Sequence, residues 1–324
     1  MGAPARGAPL VADIGGTHAR FARVGSDGRL AAERTVLVGE HASLLAAASV
    51  YLSDTGGAPI TTAAIAMAGP VLDDGAELTN GAWAFKTAAL TRELGLDRLL
   101  VLNDFEALAL ALPHLGTRDL VQIGGGASIA GAPKVVLGPG TGFGGAVLLT
   151  GSRVLPGEIG HTTLPVTGEG EARIAEGLAD ADGHVPVENA VSGPGLVALY
   201  RECARHGKSP SGFASAAEIV AAARARTDAS AVRAVDLFIT WLGRVAGNAA
   251  LLYRADGGVY IGGGMAPKMR DLLANGRLRD AFDRKGRMST LVAGIPLYII
   301  TAGAPGLLGA AAHLQRALGP AASS

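Results

Sequence analysis

The sequence predicts an α/β protein of two lobes, and three features support this fold class. The chain has 324 residues, which is too long for one small core and suits two domains of ordinary size. Apolar runs of strand length alternate with helix-forming stretches, as in α/β folds. Its 48 glycines cluster where predicted strands meet turns and follow no collagen-like or linker-like period. A cleft between the two lobes is therefore the expected place for a ligand site.

Composition and charge favour a folded protein that acts on small molecules. Apolar residues make up 49% of the chain and charged residues 17%, which is enough for a large core and too apolar for disorder to dominate. The formal net charge is +0, so no charge excess points to nucleic acid or to an anionic membrane. The apolar stretch 237–253 contains Arg244 and falls short of the ~20 clean residues of a membrane span, so we expect a buried helix there.

The cysteine content favours a reducing compartment. The single cysteine, Cys203, cannot form a disulfide within the chain, and it excludes a zinc site built from several thiolates. The first residues contain no apolar stretch of the kind that directs export. We therefore expect a cytoplasmic location.

The first half of the chain begins with a predicted glycine-containing hairpin. Leu10–Val24 has a short apolar strand, the turn residues Gly15, Gly16 and Thr17, and a second strand with alternating polarity. A helix is predicted over Ser43–Ser53, and a strand over Thr61–Val71 that ends at Gly69 and Pro70. The first lobe thus alternates strands and helices.

A polar step between two apolar elements is the candidate catalytic position. Leu99–Leu102 has the length and character of a buried strand, and Phe105–Leu112 is helix-forming and stops before Pro113. Between them lie Asn103 and Asp104. Because ligands collect at the carboxyl ends of strands in open α/β sheets, Asp104 is the candidate catalytic base. The alternative is that Asn103 only caps the following helix.

The second half of the chain contains another predicted glycine-containing hairpin. Lys134–Thr150 again has an apolar strand, a turn with Gly140, Thr141 and Gly142, and another apolar strand, roughly 125 residues after the first hairpin, which indicates a weak internal repeat. Further helices and strands are predicted over Ser192–Arg205, with Ser192 as its cap and Pro194 in its first turn, Ala231–Tyr253, Val259–Ile261, Pro296–Thr301 and Leu307–Leu318.

The glycine-rich turns have the chemistry of a phosphate site. Glycines let backbone N–H groups approach an anion closely, and a threonine hydroxyl adds a donor, so two such turns suggest a polyphosphate between the lobes. Neither turn is a Walker A loop or opens a helix as a dinucleotide fingerprint does. Gly262–Gly264 would suit an adenine or ribose, and Asp13 is placed to hold a hydrated Mg²⁺. Plain turn chemistry is the alternative for each cluster.

A second group of polar residues is suited to a sugar. Glu158 and His161 lie three residues apart on Leu155–His161, which glycines break too often for a regular helix. Glu188 lies just ahead of the Ser192 helix, where it could instead be a helix-terminal charge. Sugars present adjacent hydroxyls that donate and accept together, which carboxylates, amides and imidazoles recognise. His161 could also be a surface histidine, and the histidines form no convincing transition-metal pattern.

Nine stretches spread over nearly the whole chain contain motifs that belong together: Ala12–Ala22, Leu78–Phe85, Leu102–Pro113, Leu137–Ala146, Leu155–His161, Glu188–Arg201, Tyr260–Lys268, Leu278–Met288 and Pro305–Leu314. They resemble the motifs of the bacterial glucokinase family, the ATP-dependent hexose kinases of the actin-like, hexokinase-type fold. Gly81 stands where a bulkier residue is common in that family, and the cysteine-rich zinc motif of the related repressor-and-kinase family is absent from the sequence.

The resemblance implies a two-lobed actin-like ATPase (ribonuclease H-like) fold, with a small domain of residues 9–114 plus 305–324 and a large domain of residues 115–304. It implies that glucose receives the γ-phosphate of ATP on its 6-hydroxyl, in the first step of glycolysis, with Asp104 as general base. It also implies Mg²⁺, held by Asp13 through water, and a homodimer. The implied sugar-binding residues are Asn103, Asp104, Glu158, His161 and Glu188, and the implied ATP-binding residues are Ala12, Asp13, Ile14, Gly15, Gly16, Thr17, Gly138, Gly140, Thr141, Gly142, Gly262, Gly263 and Gly264.

Three other functions are alternatives to this interpretation. A non-catalytic sugar sensor would need an output module, and the sequence shows no helix-turn-helix or basic arm for one. An acyl-phosphate kinase of the same fold is disfavoured by the sugar-type residues Glu158, His161 and Glu188. An unrelated dinucleotide-binding enzyme is disfavoured because the glycines lie in predicted hairpins.

Overall fold

The structure is a computed structural model that describes residues 7–56, 59–72, 74–78 and 83–319. The chain divides into two compact units, Met1–Leu115 with Ala302–Ser324, and Gly116–Thr301. The departure noted at Gly81 and the residues around it, 79–82, lie outside the described part of the chain.

Strands and helices alternate along both units. The first unit contains, in order, β1 (Leu10–Ile14), β2 (His18–Val24), β3 (Leu30–Leu37), α1 (Leu44–Asp54), β4 (Thr62–Met67), β5 (Val71–Leu72), β6 (Gly75–Glu77), β7 (Ala84–Lys86), α2 (Thr87–Glu93), β8 (Arg98–Asn103) and α3 (Asp104–Ala111). The second contains β9 (Leu120–Gln122), β10 (Lys134–Pro139), β11 (Phe143–Leu149), β12 (Arg153–Gly157), α4 (Glu169–Ala175), α5 (Gly193–Gly207), α6 (Ala216–Ala225), α7 (Ala229–Tyr253), β13 (Val259–Ile261), α8 (Arg270–Leu273), α9 (Arg277–Asp283), α10 (Ser289–Gly294) and β14 (Leu297–Ile300). The last helix, α11 (Pro305–Leu318), belongs to the first unit.

The main sheet of the first unit has the strand order β3-β2-β1-β4-β8. β1 and β2 form the predicted antiparallel hairpin, whereas β1, β4 and β8 run parallel. β5, β6 and β7 form a separate small antiparallel sheet. The three parallel strands therefore end along one edge of the main sheet.

The second unit has a sheet of order β12-β11-β10-β13-β14-β9, whose first five strands repeat the pattern of the first sheet. β10 and β11 form the second predicted hairpin, and β10, β13 and β14 run parallel. The internal repeat predicted from the two glycine-rich hairpins is thus confirmed at the level of strand order and direction.

The core of the second unit is built around α7, which contains the apolar stretch predicted as a buried helix. Phe238, Ile239, Trp241 and Leu242 on this helix are fully buried among the surrounding helices and the sheet. Within the described ranges, α7 is the helix whose length and apolar composition would suit a membrane span, and most of that apolar window is covered by protein. The prediction of a buried helix is confirmed.

Two helices, α1 and α5, begin where the sequence predicts, and each has a serine cap. The side chain of Ser43 accepts a hydrogen bond from the N–H of Ala46 at the start of α1. The side chain of Ser192 accepts one from the N–H of Gly195 at the start of α5, with Pro194 in the first turn as predicted. Each cap satisfies a backbone donor that the first helical turn leaves free.

Close backbone packing joins α3 and α11 in the first unit. A Cβ atom on Gly309 of α11 would collide with the backbone oxygen of Ala107 on α3. Glycine at this position therefore lets the two helices approach within a distance that a side chain would prevent. This contact fixes α3 against α11, and with it Asp104, the first residue of α3.

Candidate active site

Asn103 and Asp104 occupy the junction predicted for them, between β8 and α3. The Asn103 side-chain oxygen accepts a hydrogen bond of 2.8 Å from the N–H of Phe105, and its amide nitrogen donates to the backbone oxygen of Gly69 at 3.2 Å. Asn103 therefore does cap α3, as the alternative interpretation held. The cap uses one lone pair of the amide oxygen and leaves a second one available.

Strand register brings Asp104 and Asp13 to the same sheet edge. Ile14, Met67 and Asn103 are aligned across β1, β4 and β8, so Asp13 precedes this line by one residue and Asp104 follows it by one. Burial of the Asp104 carboxyl and the nearby charge of Asp13 raise the pKa of Asp104 to about 7. Two carboxyl groups that interact in this way do not ionise independently.

Asp13 has a cationic neighbour that sequence reasoning missed. The Arg20 guanidinium lies 3.6 Å from the Asp13 carboxylate, and the two residues face each other directly in the β1–β2 register. Burial raises the pKa of Asp13, although the charge and hydrogen bond of Arg20 oppose that shift. The predicted hairpin could have shown this pair, because directly opposed residues of antiparallel strands interact.

The first glycine-rich turn joins β1 and β2. The N–H of Gly15 donates to the backbone oxygen of His18 at 2.9 Å, and the carbonyl of Thr17 accepts from Val38 at 2.9 Å. Among described residues, a Cβ on Gly15 would meet only the His18 oxygen, at an ordinary 3.6 Å. Against the described part of the chain, the turn therefore has room beside Gly15, as a phosphate-binding loop requires.

The second glycine-rich turn packs against Gly262–Gly264, the third predicted cluster. Gly262 donates its N–H to Leu137 at 2.9 Å, and a Cβ on Gly138 would collide with the backbone of Gly262. Gly263 has a φ of 81°, and a Cβ on it would collide with the oxygen of Pro139. The structure thus brings together the two second-unit clusters that the sequence indicated for ATP.

Glu188 lies directly beside the second turn. Its carboxylate accepts a hydrogen bond of 2.6 Å from the N–H of Phe143, the first residue of β11. A Cβ on Gly142 would collide with the same carboxylate oxygen. Glycine at position 142 is therefore required for Glu188 to reach the backbone of the turn.

Glu158 and His161 lie on the irregular segment predicted for them. Glu158 follows β12, and Ile159–His161 forms a single 3₁₀ turn. Both side chains are exposed, whereas Gly160 between them is buried, and a Cβ on it would collide with the backbone oxygen of Phe143. This contact ties the loop to the start of β11, which is also the strand that Glu188 contacts.

A partly buried ion pair anchors the chain just after this loop. Arg244 of α7 donates to the oxygen of Pro165 at 3.0 Å and to the carboxylate of Glu171 at 2.9 Å. Glu171 in turn accepts from the N–H of Thr167 and from the Trp241 indole, each at 3.0 Å. In the sequence, Arg244 is visible only as an interruption of an apolar stretch, since its partner lies 73 residues away.

The described residues contain no group of three or more His, Cys, Asp or Glu side chains that could hold a metal ion. Asp13 alone supplies one carboxylate beside the first turn. This arrangement fits Mg²⁺, which binds through one or two carboxylates together with substrate phosphates and retained waters.

Two α/β units that share a five-strand order and a glycine-rich hairpin, with two carboxylates at the carboxyl edge of the parallel strands of the first, have the architecture of a sugar kinase of the two-domain actin-like ATPase fold. The family model for glucokinase matches residues 10–317. The chain belongs to the glucokinase family, and its activity is the ATP-dependent phosphorylation of glucose.

Individual relatives match over almost the whole chain. The glucokinase of Aromatoleum aromaticum is 45% identical over 314 residues, which cover 95% of this chain and 95% of that protein. The glucokinase of Chromobacterium violaceum is 42% identical over 315 residues, covering 96% and 90%. A solved glucokinase structure from an Antarctic psychrotroph is 34% identical with a TM-score of 0.83, covering 96% and 99%. The fold class and the family predicted from the motifs are confirmed.

Proposed function

We propose that Asp104 is the general base that takes the proton from the 6-hydroxyl of glucose while the γ-phosphate of ATP is transferred, giving glucose 6-phosphate and ADP. The observation that carries this proposal is the position of Asp104 at the carboxyl end of β8, with its pKa raised to about 7. A base is most effective when its pKa lies near the working pH, because it is then both available and basic enough to accept the proton.

Four further residues would bind the remaining hydroxyls of glucose: Asn103, Glu158, His161 and Glu188. Supporting this, Glu158 and His161 are exposed on one loop, and Asn103 keeps a free lone pair on its capping oxygen. Glu188 uses one carboxylate oxygen for the N–H of Phe143, which leaves its other oxygen for a hydroxyl. Carboxylates suit this task because charge-assisted hydrogen bonds are stronger than neutral ones.

The glycine-rich turns would bind ATP. The turns Gly15–Thr17 and Gly138–Gly142 would line the phosphates, with contacts from the backbone N–H groups that the turns do not use internally, and Gly262–Gly264 would support the adenosine, with Ala12 and Ile14 completing the first loop. Support comes from the open space beside Gly15 and from the packing of the second and third clusters on each other. Asp13 would hold Mg²⁺ through water, and the ion would supply positive charge to the phosphates.

The chain's own residues supply mainly position and electrostatics for this reaction. Phosphoryl transfer needs little covalent chemistry from the protein, so correct placement of the hydroxyl and neutralisation of the phosphate charge account for most of the rate. Asn103 fixes the start of α3 by its cap and thereby the direction of the neighbouring Asp104 carboxylate. Asp104 then accepts the hydroxyl proton at its carboxylate oxygen.

The base assignment is tested by Asp104→Asn. We expect turnover to fall by about two to four orders of magnitude, because general base catalysis supplies about 10²–10⁴-fold. Glucose affinity, measured by calorimetry, should change far less than turnover, since the amide keeps the shape of the site and can still form a hydrogen bond to the 6-hydroxyl. Glu106→Gln is the matched control, because Glu106 is a partly buried acid on the same helix and should tolerate the change. Near-normal turnover in Asp104→Asn would remove Asp104 from the role.

We also propose that the protein is a cytoplasmic homodimer that works at the first step of glycolysis, with a small domain of residues 9–114 plus 305–324 and a large domain of residues 115–304. The family and the single buried cysteine, Cys203, support the cytoplasmic location. Sedimentation of the purified chain tests the dimer. ADP release measured with glucose, mannose, fructose, galactose and no sugar tests whether turnover requires glucose.

A further inference from the structure

Gly306 is the second residue of α11, and its missing side chain leaves the place that Asp13 occupies. A Cβ on Gly306 would lie 2.5 Å from Cγ of Asp13, 2.6 Å from one carboxylate oxygen and 2.7 Å from the other. Real Cβ atoms do not approach other atoms this closely. The Asp13 carboxylate therefore rests directly on the first turn of α11, in space that any other residue at position 306 would fill.

The carboxylate is enclosed from a second side by Arg20, at 3.6 Å. The backbone of Asp13 is fixed as well, because β1 pairs with β2 on one side and with β4 on the other. A carboxylate near the first turn of a helix is also favoured by the helix dipole. The position of this side chain thus depends on Arg20 and on the open space at Gly306.

We propose that Gly306 is a positioning residue for phosphoryl transfer, because its lack of a side chain lets the Asp13 carboxylate rest against α11 in the place where it serves the ATP phosphates. This proposal rests on the proposed function of Asp13 and goes beyond it, since it assigns a role to a glycine 293 positions away along the chain.

A substitution at Gly306 can change the position of the Asp13 carboxylate without lowering the stability of α11. Gly306 is not among the glycines with positive φ, so alanine can adopt its backbone conformation. Alanine is also a better helix former than glycine. The atoms that a new methyl group would meet belong to the end of a flexible side chain rather than to backbone. Gly306→Ala should therefore leave the helix intact and move only the Asp13 carboxylate.

The displacement is large enough to affect catalysis. To restore ordinary contact distances, the carboxylate carbon must move about 1 Å, and a misplacement of about 1 Å can cost about 100-fold in rate. We expect kcat of Gly306→Ala to fall between about tenfold and about 100-fold. KM for glucose should change by less than about twofold, because the residues proposed for the sugar hydroxyls are untouched.

The matched control is Gly170→Ala. Gly170 is also the second residue of its helix, α4, and a Cβ on it would meet no described atom within 4 Å. It should show wild-type kcat. Thermal unfolding without ligands is measured for both variants, and Tm should be equal to or higher than that of the wild type. A Gly306→Ala chain that fails to fold would overturn the proposal, because the glycine would then serve the fold.

A double-mutant cycle shows whether Gly306 acts through Asp13. Asp13→Ala removes the carboxylate and makes room for the methyl group, so Asp13→Ala with Gly306→Ala should have the same kcat as Asp13→Ala alone. An equal loss from Gly306→Ala in both backgrounds would overturn the proposal, as would wild-type kcat in the single variant. If Asp13→Ala itself keeps full kcat, the proposed role of Asp13 fails, and the proposal for Gly306 fails with it.

Discussion

The two glycine-rich hairpins hold the same place in their sheets, yet their glycines have different surroundings. In the hairpin of β1 and β2, a Cβ on Gly15 would make one ordinary contact, at 3.6 Å, with described atoms. In the hairpin of β10 and β11, side chains at Gly138 or Gly142 would collide with the backbone of Gly262 or with the carboxylate of Glu188. The first turn is open, and the second is packed.

The glycines of a repeated motif can therefore be needed for different physical reasons in its two copies. In the first hairpin the glycines leave space, which suits a ligand that approaches the backbone. In the second they allow two backbone segments and a carboxylate to meet within one unit. Substitutions of glycine in the first hairpin should therefore lower activity, whereas those in the second should lower stability. Measurements of stability distinguish the two effects.

The largest effect is expected for Gly263→Ala, on the segment that packs on the second hairpin. Its φ of 81° and the collision of a Cβ with Pro139 each cost free energy, together about 3 kcal/mol or more. Tm should fall by about 6 °C or more. Thermal unfolding monitored by circular dichroism measures this change.

Two variants serve as controls for that loss. A Cβ on Gly264 would meet no described atom within 4 Å, so Gly264→Ala should change the free energy of unfolding by less than about 1 kcal/mol. Gly15→Ala, in the open hairpin, should be equally stable. If Gly15→Ala proved as damaging as Gly263→Ala, the contrast between the two hairpins would be wrong.

The next effect concerns Glu188, the acid of the packed hairpin. Glu188→Gln keeps an oxygen that can accept from the N–H of Phe143 but removes the charge offered to glucose. KM for glucose should rise about tenfold, equal to about 1.4 kcal/mol, with a smaller change in kcat. Steady-state kinetics over a range of glucose concentrations measures both values, and Glu169→Gln on the exposed face of α4 is the control.

A second substitution at this position separates its two contacts. Glu188→Ala also leaves the Phe143 N–H without its partner, so it should lower the stability by about 1–3 kcal/mol in addition to raising KM. Wild-type KM in Glu188→Gln, with loss only in Glu188→Ala, would mean that Glu188 is a brace for the turn and takes no part in sugar binding.

Much of the fold could be read from local sequence. The hairpins, the caps at Ser43 and Ser192 and the long helix α7 follow from signals within a few residues of each other. The position of Asp104 at a strand end followed in the same way. The roles of Asp104 in catalysis and of the hairpins in binding stay predictions, because these roles depend on a substrate.

The missed features join residues that are distant along the chain. The contact of Asp13 with Gly306, the hydrogen bond of Glu188 to Phe143 and the pairing of Arg244 with Glu171 all arise only after folding. A single sequence contains no local pattern for such contacts. Arg20 is the exception, since the hairpin register alone places it opposite Asp13.

A smaller effect concerns the pH dependence of the acids beside the open hairpin. Asp104 must be ionised to act as a base, and its pKa is raised to about 7 by burial and by Asp13. We therefore expect kcat/KM for glucose to fall about tenfold for each pH unit below that value. In Asp13→Asn the neighbouring charge is gone, so the remaining activity should begin to fall at lower pH. If the pH profile of Asp13→Asn were unchanged, protonation of Asp104 would not be the cause of the loss of activity at low pH.

The smallest effect is on stability, and it has the opposite sign to the effect on activity. In the unfolded chain Asp104 has its ordinary pKa, so between that value and about 7 the folded protein holds a proton that the unfolded chain has lost. Stability that depends on this carboxyl is therefore complete at low pH and is lost as the pH rises through the raised pKa. Asp104→Asn never ionises, so it should raise Tm by a few degrees at about pH 8 and by less at about pH 5. The acids beside the open hairpin would then be kept at a cost in stability, whereas Glu188 strengthens the packed one. An Asp104→Asn chain with an unchanged or lower Tm at the higher pH would show that ionisation of Asp104 carries no such cost.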